Sequence, residues 1–306
     1  MSTQCDSSHA TFLPRPTFAG QNTAYHLLAL LTVGIWGITF VSTKLLIGQG
    51  LSPTEIFLLR FAIAYVCLLT VSHGKWRADS LRDEALMLVA GLSGGSLYFI
   101  TENTALGITF ASNVSLLICT APLFTMLFGH MFCGMPVRRG MLTGSMLALC
   151  GVGLVVFNGA VSWGINPLGD LLTVVAAMLW ATYCLVLKSV GSRYQSLFVT
   201  RKVFFYGVMS ALMIYPFTSP DFDPAILLRP VVYGNLIFLG VGASMMCYLM
   251  WSMVVKKLGA EKTANYIYCI PLVTIISSVI FLDEPVTLIT LLGTAFIIGG
   301  VYLAER

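Results

Sequence analysis

The sequence predicts an all-α integral membrane protein with ten transmembrane helices, arranged as two inverted five-helix repeats. Three observations lead there. The apolar stretches are long and nearly free of charge, Lys and Arg gather in alternate loops, and landmarks of the first half return in the second. Of the 306 residues, 57% are hydrophobic and 10% charged, whereas a soluble domain carries about 25% charged residues.

Ten apolar segments lie at 25–47, 54–73, 84–106, 109–132, 140–158, 167–189, 196–218, 231–255, 262–282 and 286–304. Each has roughly the 20 residues that cross a hydrocarbon core of about 30 Å. Backbone groups in lipid must be satisfied within the segment, and these runs do not alternate as barrel strands do, so the spans are expected to be helices. With odd-numbered loops outside and even-numbered loops inside, 14 of the 17 Lys and Arg fall at the inner surface, Arg229 lies in an outer loop, and Lys44 and Arg60 sit within helices toward the outer side. This bias places both termini in the cytoplasm of a multi-pass protein of the cytoplasmic membrane. The net charge of +4 is then a topology signal and implies no nucleic-acid partner. Six of the eight cysteines fall inside the spans, no CxxC occurs and the four histidines are far apart. No disulfide framework, metal or cofactor is expected.

Along the chain, residues 1–24 are polar, carry Pro14 and Pro16, and read as a mobile cytoplasmic tail without signal-peptide features. The first repeat, 25–158, opens with a helix carrying Trp36 and, near its outer end, Lys44. Lys44 either snorkels to the interface or serves a site. The second helix starts at Ser52-Pro53-Thr54-Glu55, a cap residue, a first-turn proline and an acid at the positive end of the dipole. Arg60 lies deeper, where a guanidinium needs a partner or a water-filled cavity. The third helix carries Tyr98 and ends near Glu102-Asn103. At that depth Glu102 is a packing salt bridge, a substrate or proton site, or a solvent-facing group; a cluster with Lys44 and Arg60 would suit the first two. Pro122 interrupts the fourth helix, and Gly140, Gly144, Gly151 and Gly153 line the fifth, allowing close backbone approach.

An uncharged link, 159–166, leads to the second repeat, 167–306, where Asp170 marks a helix start. Trp36 and Lys44 recur as Trp180 and Lys188 at an offset of 144 residues, and Pro122, Gly144 and Gly151 as Pro271, Gly293 and Gly300 at an offset of 149. Five helices per half invert the second copy, so Arg60 on the outer side is echoed by Arg201 on the inner. The repeat is unequal at Glu102, whose counterpart is Trp251, while the second half offers Tyr183, Tyr248, Asn265, Tyr266 and Tyr268. Each of these either lines a cavity or belongs to the aromatic belt and helix packing.

Trp36-Gly37-Ile38-Thr39-Phe40, Leu59-Arg60-Phe61, Ala105-Leu106 with Ala111-Ser112 and Pro122, Trp180-Ala181 with Tyr183 and Lys188, and Glu284-Pro285 with Gly293 and Gly299-Gly300 resemble the EamA type of the drug/metabolite transporter superfamily. The resemblance spans about residues 25–304 and implies a central cavity and export or exchange of amino acids, metabolites or drugs. Met135-Pro136 departs from the pattern where the second half has Glu284-Pro285, which makes Glu284 a loop or helix-start residue. Glu102 lies outside the shared motifs.

The sequence therefore points to a secondary transporter of a small organic solute, with proton or counter-substrate coupling open and no enzyme activity expected. The alternative is a membrane-embedded enzyme or a non-transporting binding protein. The candidate site residues are Glu102, Asn103, Trp36, Arg60, Lys44, Tyr98, Trp180, Tyr183, Tyr248, Asn265 and Tyr268. Substrate identity, direction and oligomeric state are not encoded legibly.

Overall fold

The computed structural model describes residues 18–72, 74–134, 140, 143–144, 146–151, 153–154, 167–218, 223–284 and 286–305. Its helices are α1 (Phe18–Gly48), α2 (Pro53–Val71), α3 (Leu81–Ile108), α4 (Ala111–Phe132), α6 (Pro167–Gly191), α7 (Ser196–Thr218), α8 (Pro230–Leu258), α9 (Lys262–Leu282) and α10 (Leu288–Glu305), with α5 denoting the helical residues between 140 and 154. Among the described residues, eight helices are long and apolar enough to cross a membrane, and α10 contains a shorter apolar run, Leu288–Gly300. Part of the expected fifth span and the whole 159–166 link lie outside the described residues. Helix α1 begins at Phe18, inside the stretch expected to be a tail. The start of α2 is as read: Glu55 N–H donates to Ser52 Oγ at 3.2 Å and Ser52 N–H to Glu55 Oε2 at 2.8 Å, a reciprocal cap.

The two halves match in their irregularities. Helix α3 widens to a π-helical turn at Leu92–Ser96, and α8 does so at Phe238–Met246, which contains the positions 149 residues on. Helix α4 breaks after Ile118 and restarts at Ala121 with Pro122 in its first turn, while α9 passes through a 3₁₀ turn, Asn265–Cys269, and restarts at Ile270 with Pro271. Each proline thus sits where its missing N–H costs least, so the fourth helix is split where an interior kink was expected. Helix α4 ends on Gly134 (φ 63°), whose N–H reaches Gly129 O; α9 ends on Asp283 (φ 52°), whose N–H reaches Ser278 O. Both residue types enter the left-handed region that closes a helix.

Glycine contacts relate the halves by a pseudo-twofold axis. A Cβ on Gly151 would stand 2.7 Å from Gly293 O, and one on Gly300 would stand 2.6 Å from Gly144 O, so α5 and α10 exchange the same contact. Gly91 of α3 abuts Val203 O of α7, and Gly240 of α8 abuts Arg60 O of α2. This pairing corrects one sequence reading: the counterpart of Arg60 is Val203, two positions beyond Arg201.

Overpacking the α5–α10 crossing should destabilise the bundle. Gly151→Val is expected to cost about 1–3 kcal/mol in reversible unfolding in detergent, with Gly153→Ala, where a Cβ meets nothing within 4 Å, as the silent control.

Candidate functional site

The axis passes through an aromatic cavity. Trp36 and Trp180, related at 144 residues, meet edge-on with centroids 5.2 Å apart. Phe99 and Tyr248, and Ile118 and Ile267, are related at 149 residues, and all six side chains line one cavity with Thr39, Phe40 and Ile270. The π-turn of α3 prepares this space. Tyr183 packs so closely on Gly94 that a Cβ there would lie 2.4 Å from its ring, and Tyr248 OH donates to the Gly94 carbonyl at 2.5 Å. A widened turn frees that carbonyl from the helical ladder.

The first repeat adds to this frame a guanidinium, a phenol and a carboxylate: Arg60, Tyr98 and Glu102. Their counterparts are Val203, Cys247 and Trp251. Arg60, 1% exposed, donates from Nε to Ser244 Oγ at 2.9 Å and lies 4.4 Å over the Phe99 ring. Tyr98 OH donates to Glu102 Oε1 at 2.5 Å. No ion pair joins Arg60 to Glu102 among the described residues, so cation and anion face the same space separately. Trp36 Nε1 donates to Ala243 O at 3.0 Å, whereas Trp180 Nε1 is a buried donor without a partner among the described residues. The cavity of about 30 Å³ admits a water-sized group, while pockets for organic ligands run to about 300–1,000 Å³. The bundle leaves only this narrow space at its centre.

The structure brings together Trp36, Arg60, Tyr98, Glu102, Trp180 and Tyr248 of the residues singled out from sequence, and removes others. Asn103 donates from Nδ2 to Pro53 O at 3.1 Å and fixes α3 to the start of α2. Tyr183 stands behind the cavity against Gly94, and Tyr268 packs beside Leu123 and Ala148. The side chain of Asn265 lies outside those described. Thr39 and Phe40 stand out in the sequence only as part of a family motif, and Phe99 and Ser244 carry no signal there, because an apolar or hydroxyl side chain inside a span looks like packing.

Lys44 leaves the expected cluster with Arg60 and Glu102 and pairs instead with Glu284, at 2.9 Å. Its ammonium also donates to Thr109 O at 2.8 Å. Glu284 is a loop residue, as expected, but it is 5% exposed and caps the start of α4: Ala111 N–H (2.8 Å), Ser112 N–H (3.1 Å) and Ser112 Oγ (2.9 Å) all donate to it. This carboxylate ties the α9–α10 link of one repeat to α1 and α4 of the other. Burial pushes its carboxyl up, but the Lys44 ammonium and the Ala111 and Ser112 N–H groups outweigh that and hold it below the usual carboxylate range.

The comparisons follow this geometry. A family model described as "EamA-like transporter family" matches twice, over residues 23–157 and 167–305. The chain belongs to the EamA-like transporter family. It is a multi-pass membrane protein of that family, and its two matches coincide with the two structural repeats. An "Uncharacterized transporter" of Archaeoglobus fulgidus is 28% identical over 286 residues, covering 92% of this chain and 98% of the relative. A "Probable terminal-alkyne amino-acid exporter" of Streptantibioticus cattleyicolor is 26% identical over 281 residues, 90% of this chain and 92% of the relative. A crystal structure matches with a TM-score of 0.65 at 18% identity, over 92% of this chain and 98% of that one, which is a likeness of fold alone.

The depressed Glu284 carboxyl makes the tie acid-labile. Its stabilisation is complete above the ordinary carboxylate pKa and is lost as pH falls through the lower folded value. Because Lys44 is a quarter exposed (26%), Glu284→Gln should cost only about 1–2 kcal/mol of stability. Accessibility of a cysteine at position 109, whose part in the tie is its backbone carbonyl, should rise in that variant and, with Glu284 in place, only on acidification.

Proposed function

We propose that this family member is a secondary transporter that exports or exchanges a small organic solute, carrying it through the axial cavity by alternating access of the two repeats. The observation that carries the reading is the separate presentation of Glu102 and Arg60 to one aromatic-walled space. An unpaired carboxylate and guanidinium inside a span are expensive, and a solute bearing an amine and an anionic group would satisfy both at once. Trp36, Trp180, Phe99 and Tyr248 would hold its apolar body, and the free Trp180 N–H would donate to one of its acceptors. An amino-acid-like solute fits this set, and the name of the Streptantibioticus relative is in keeping with it.

In this reading the closed cavity is a solute-free state. Opening requires the Trp36–Trp180 contact to part, with the Glu284 tie closing one end and releasing when the other closes. The distribution of Lys and Arg supports a cytoplasmic-membrane setting with both termini inside. Glu102 would serve as the amine partner or, when the solute leaves, as the group that takes up a coupling proton.

Counterflow of labelled amino acids in sealed proteoliposomes tests the proposal. Glu102→Gln removes a charge-assisted hydrogen bond of about 1.5–3 kcal/mol, so uptake should fall roughly 10- to 100-fold while the unfolding midpoint is little changed. Full, pH-dependent uptake by the variant would remove Glu102 from the mechanism. Solute-dependent quenching of tryptophan fluorescence without any movement across the vesicle wall would favour a non-transporting binding protein.

A further inference from the structure

At the end of the bundle opposite Glu284, where the basic links gather, one buried guanidinium is in no ion pair among the described residues. Arg201, in the second turn of α7, is 2% exposed. Its Nη1 donates to Ser72 O and Ser72 Oγ, both at 2.9 Å, and its Nη2 donates to Lys75 O. Every one of these acceptors is neutral. The guanidinium lies 4.6 Å over the Trp76 ring and 5.6 Å over that of Phe198, contacts that add attraction without balancing the charge.

The three carboxylates of the α2–α3 link and the start of α3 are already engaged. Asp79 pairs with Lys75, Asp83 with Arg193, and Glu84 with Lys202. Glu84 also accepts from Tyr206 OH and from the Ala78 N–H at 2.8 Å. Arg201 and the exposed Arg77 therefore carry surplus positive charge, and among the described residues neither is in an ion pair. A buried cation satisfied only by neutral acceptors lacks the partner that usually offsets its desolvation.

Both cations line a groove of about 260 Å³ between α2, the α2–α3 link, the start of α3 and α7, together with Trp76, Lys202, Tyr206, Tyr65, Phe205 and the Glu84 carboxylate that Lys202 pairs. From there the surface of α7 continues as an apolar stripe at four-residue spacing: Phe205, Met209 and Met213 are 36%, 39% and 75% exposed. Residues four apart stack along one helix face, so the stripe runs from the cations into the membrane. Trp76, 61% exposed, stands where the aromatic belt meets headgroups. A ligand matching this surface has an anionic head and a long apolar tail.

We propose that the α2–α7 groove is a binding site for an anionic phospholipid, its phosphodiester facing Arg77 and Arg201 and one acyl chain lying along Phe205, Met209 and Met213. Basic pockets between helices on the side facing the cytoplasm hold such headgroups in general. The site is remote from the axial cavity, and its test is separate from transport.

The full chain, purified in detergent, is equilibrated with phosphatidylglycerol or phosphatidylcholine of identical acyl chains, and retained lipid is counted by native mass spectrometry. Phosphatidylglycerol should be retained preferentially, and Arg77→Gln should lower that preference about fivefold, the effect of one surface cation. Arg82→Gln removes an equally exposed charge outside the groove and should change nothing. Equal retention of the two lipids, or equal losses in both variants, would overturn the site. Stabilisation of the chain by inorganic phosphate as strong as that by phosphatidylglycerol would make it a soluble-anion site and overturn the lipid assignment.

Discussion

A charge placed in hydrocarbon must find an opposite charge, a hydrogen-bond partner or water, and the arrangement of this bundle follows from how each one does so. Lys44 reaches Glu284 and the Thr109 carbonyl. Arg60 reaches Ser244 and the face of Phe99, and Glu102 takes the phenol of Tyr98. Arg201 is wrapped in the carbonyls of the α2–α3 link. Arg60 and Glu102 stop at neutral partners while lining one cavity together, and that shared space distinguishes the centre of the molecule from its packing.

The frame around that centre is symmetric, and its chemistry is not. Matched π-turns in α3 and α8, matched breaks in α4 and α9, and reciprocal glycine contacts of α5 with α10 build two copies of one shape. Where the copies meet, Trp36 faces Trp180, and Phe99 and Tyr248 stand across the axis. Upon this frame the first repeat alone contributes a guanidinium, a phenol beside a carboxylate, and the carboxylate itself. Two copies of one shape can exchange conformations about an axis, whereas a binding site for an asymmetric solute needs unlike groups on its two sides. In the transport reading proposed above, duplication followed by divergence at Glu102 and Arg60 would meet both requirements.

Much of this was legible beforehand, for local reasons. The Ser52–Glu55 cap, the glycines that recur in the fifth and tenth spans, and the matched prolines are properties of short stretches or of two stretches compared; that α5 and α10 meet through those glycines is seen only in the structure. The aromatic cavity was half legible: Trp36, Arg60, Tyr98, Glu102, Trp180 and Tyr248 stood out because polar and aromatic groups are conspicuous among aliphatic ones. Phe99 and Ile118 did not, since nothing separates a cavity-lining phenylalanine or isoleucine from one facing lipid. Lys44 and Asn103 were grouped with Glu102 on depth alone. Rotation about the helix axes turns Lys44 toward the α9–α10 link and Asn103 toward Pro53.

Composition and spacing by themselves determined that the chain is a helical membrane protein made of two related halves, because hydrophobic length and internal repetition are one-dimensional quantities. Only the tertiary structure decided which charges meet. Lys44 and Glu284 are 240 residues apart, Arg60 and Ser244 are 184 apart, and the Gly94 carbonyl and Tyr248 are 154 apart. Each contact depends on depth in the membrane and on the azimuth of two helices at once, and neither coordinate is written in any local stretch of sequence.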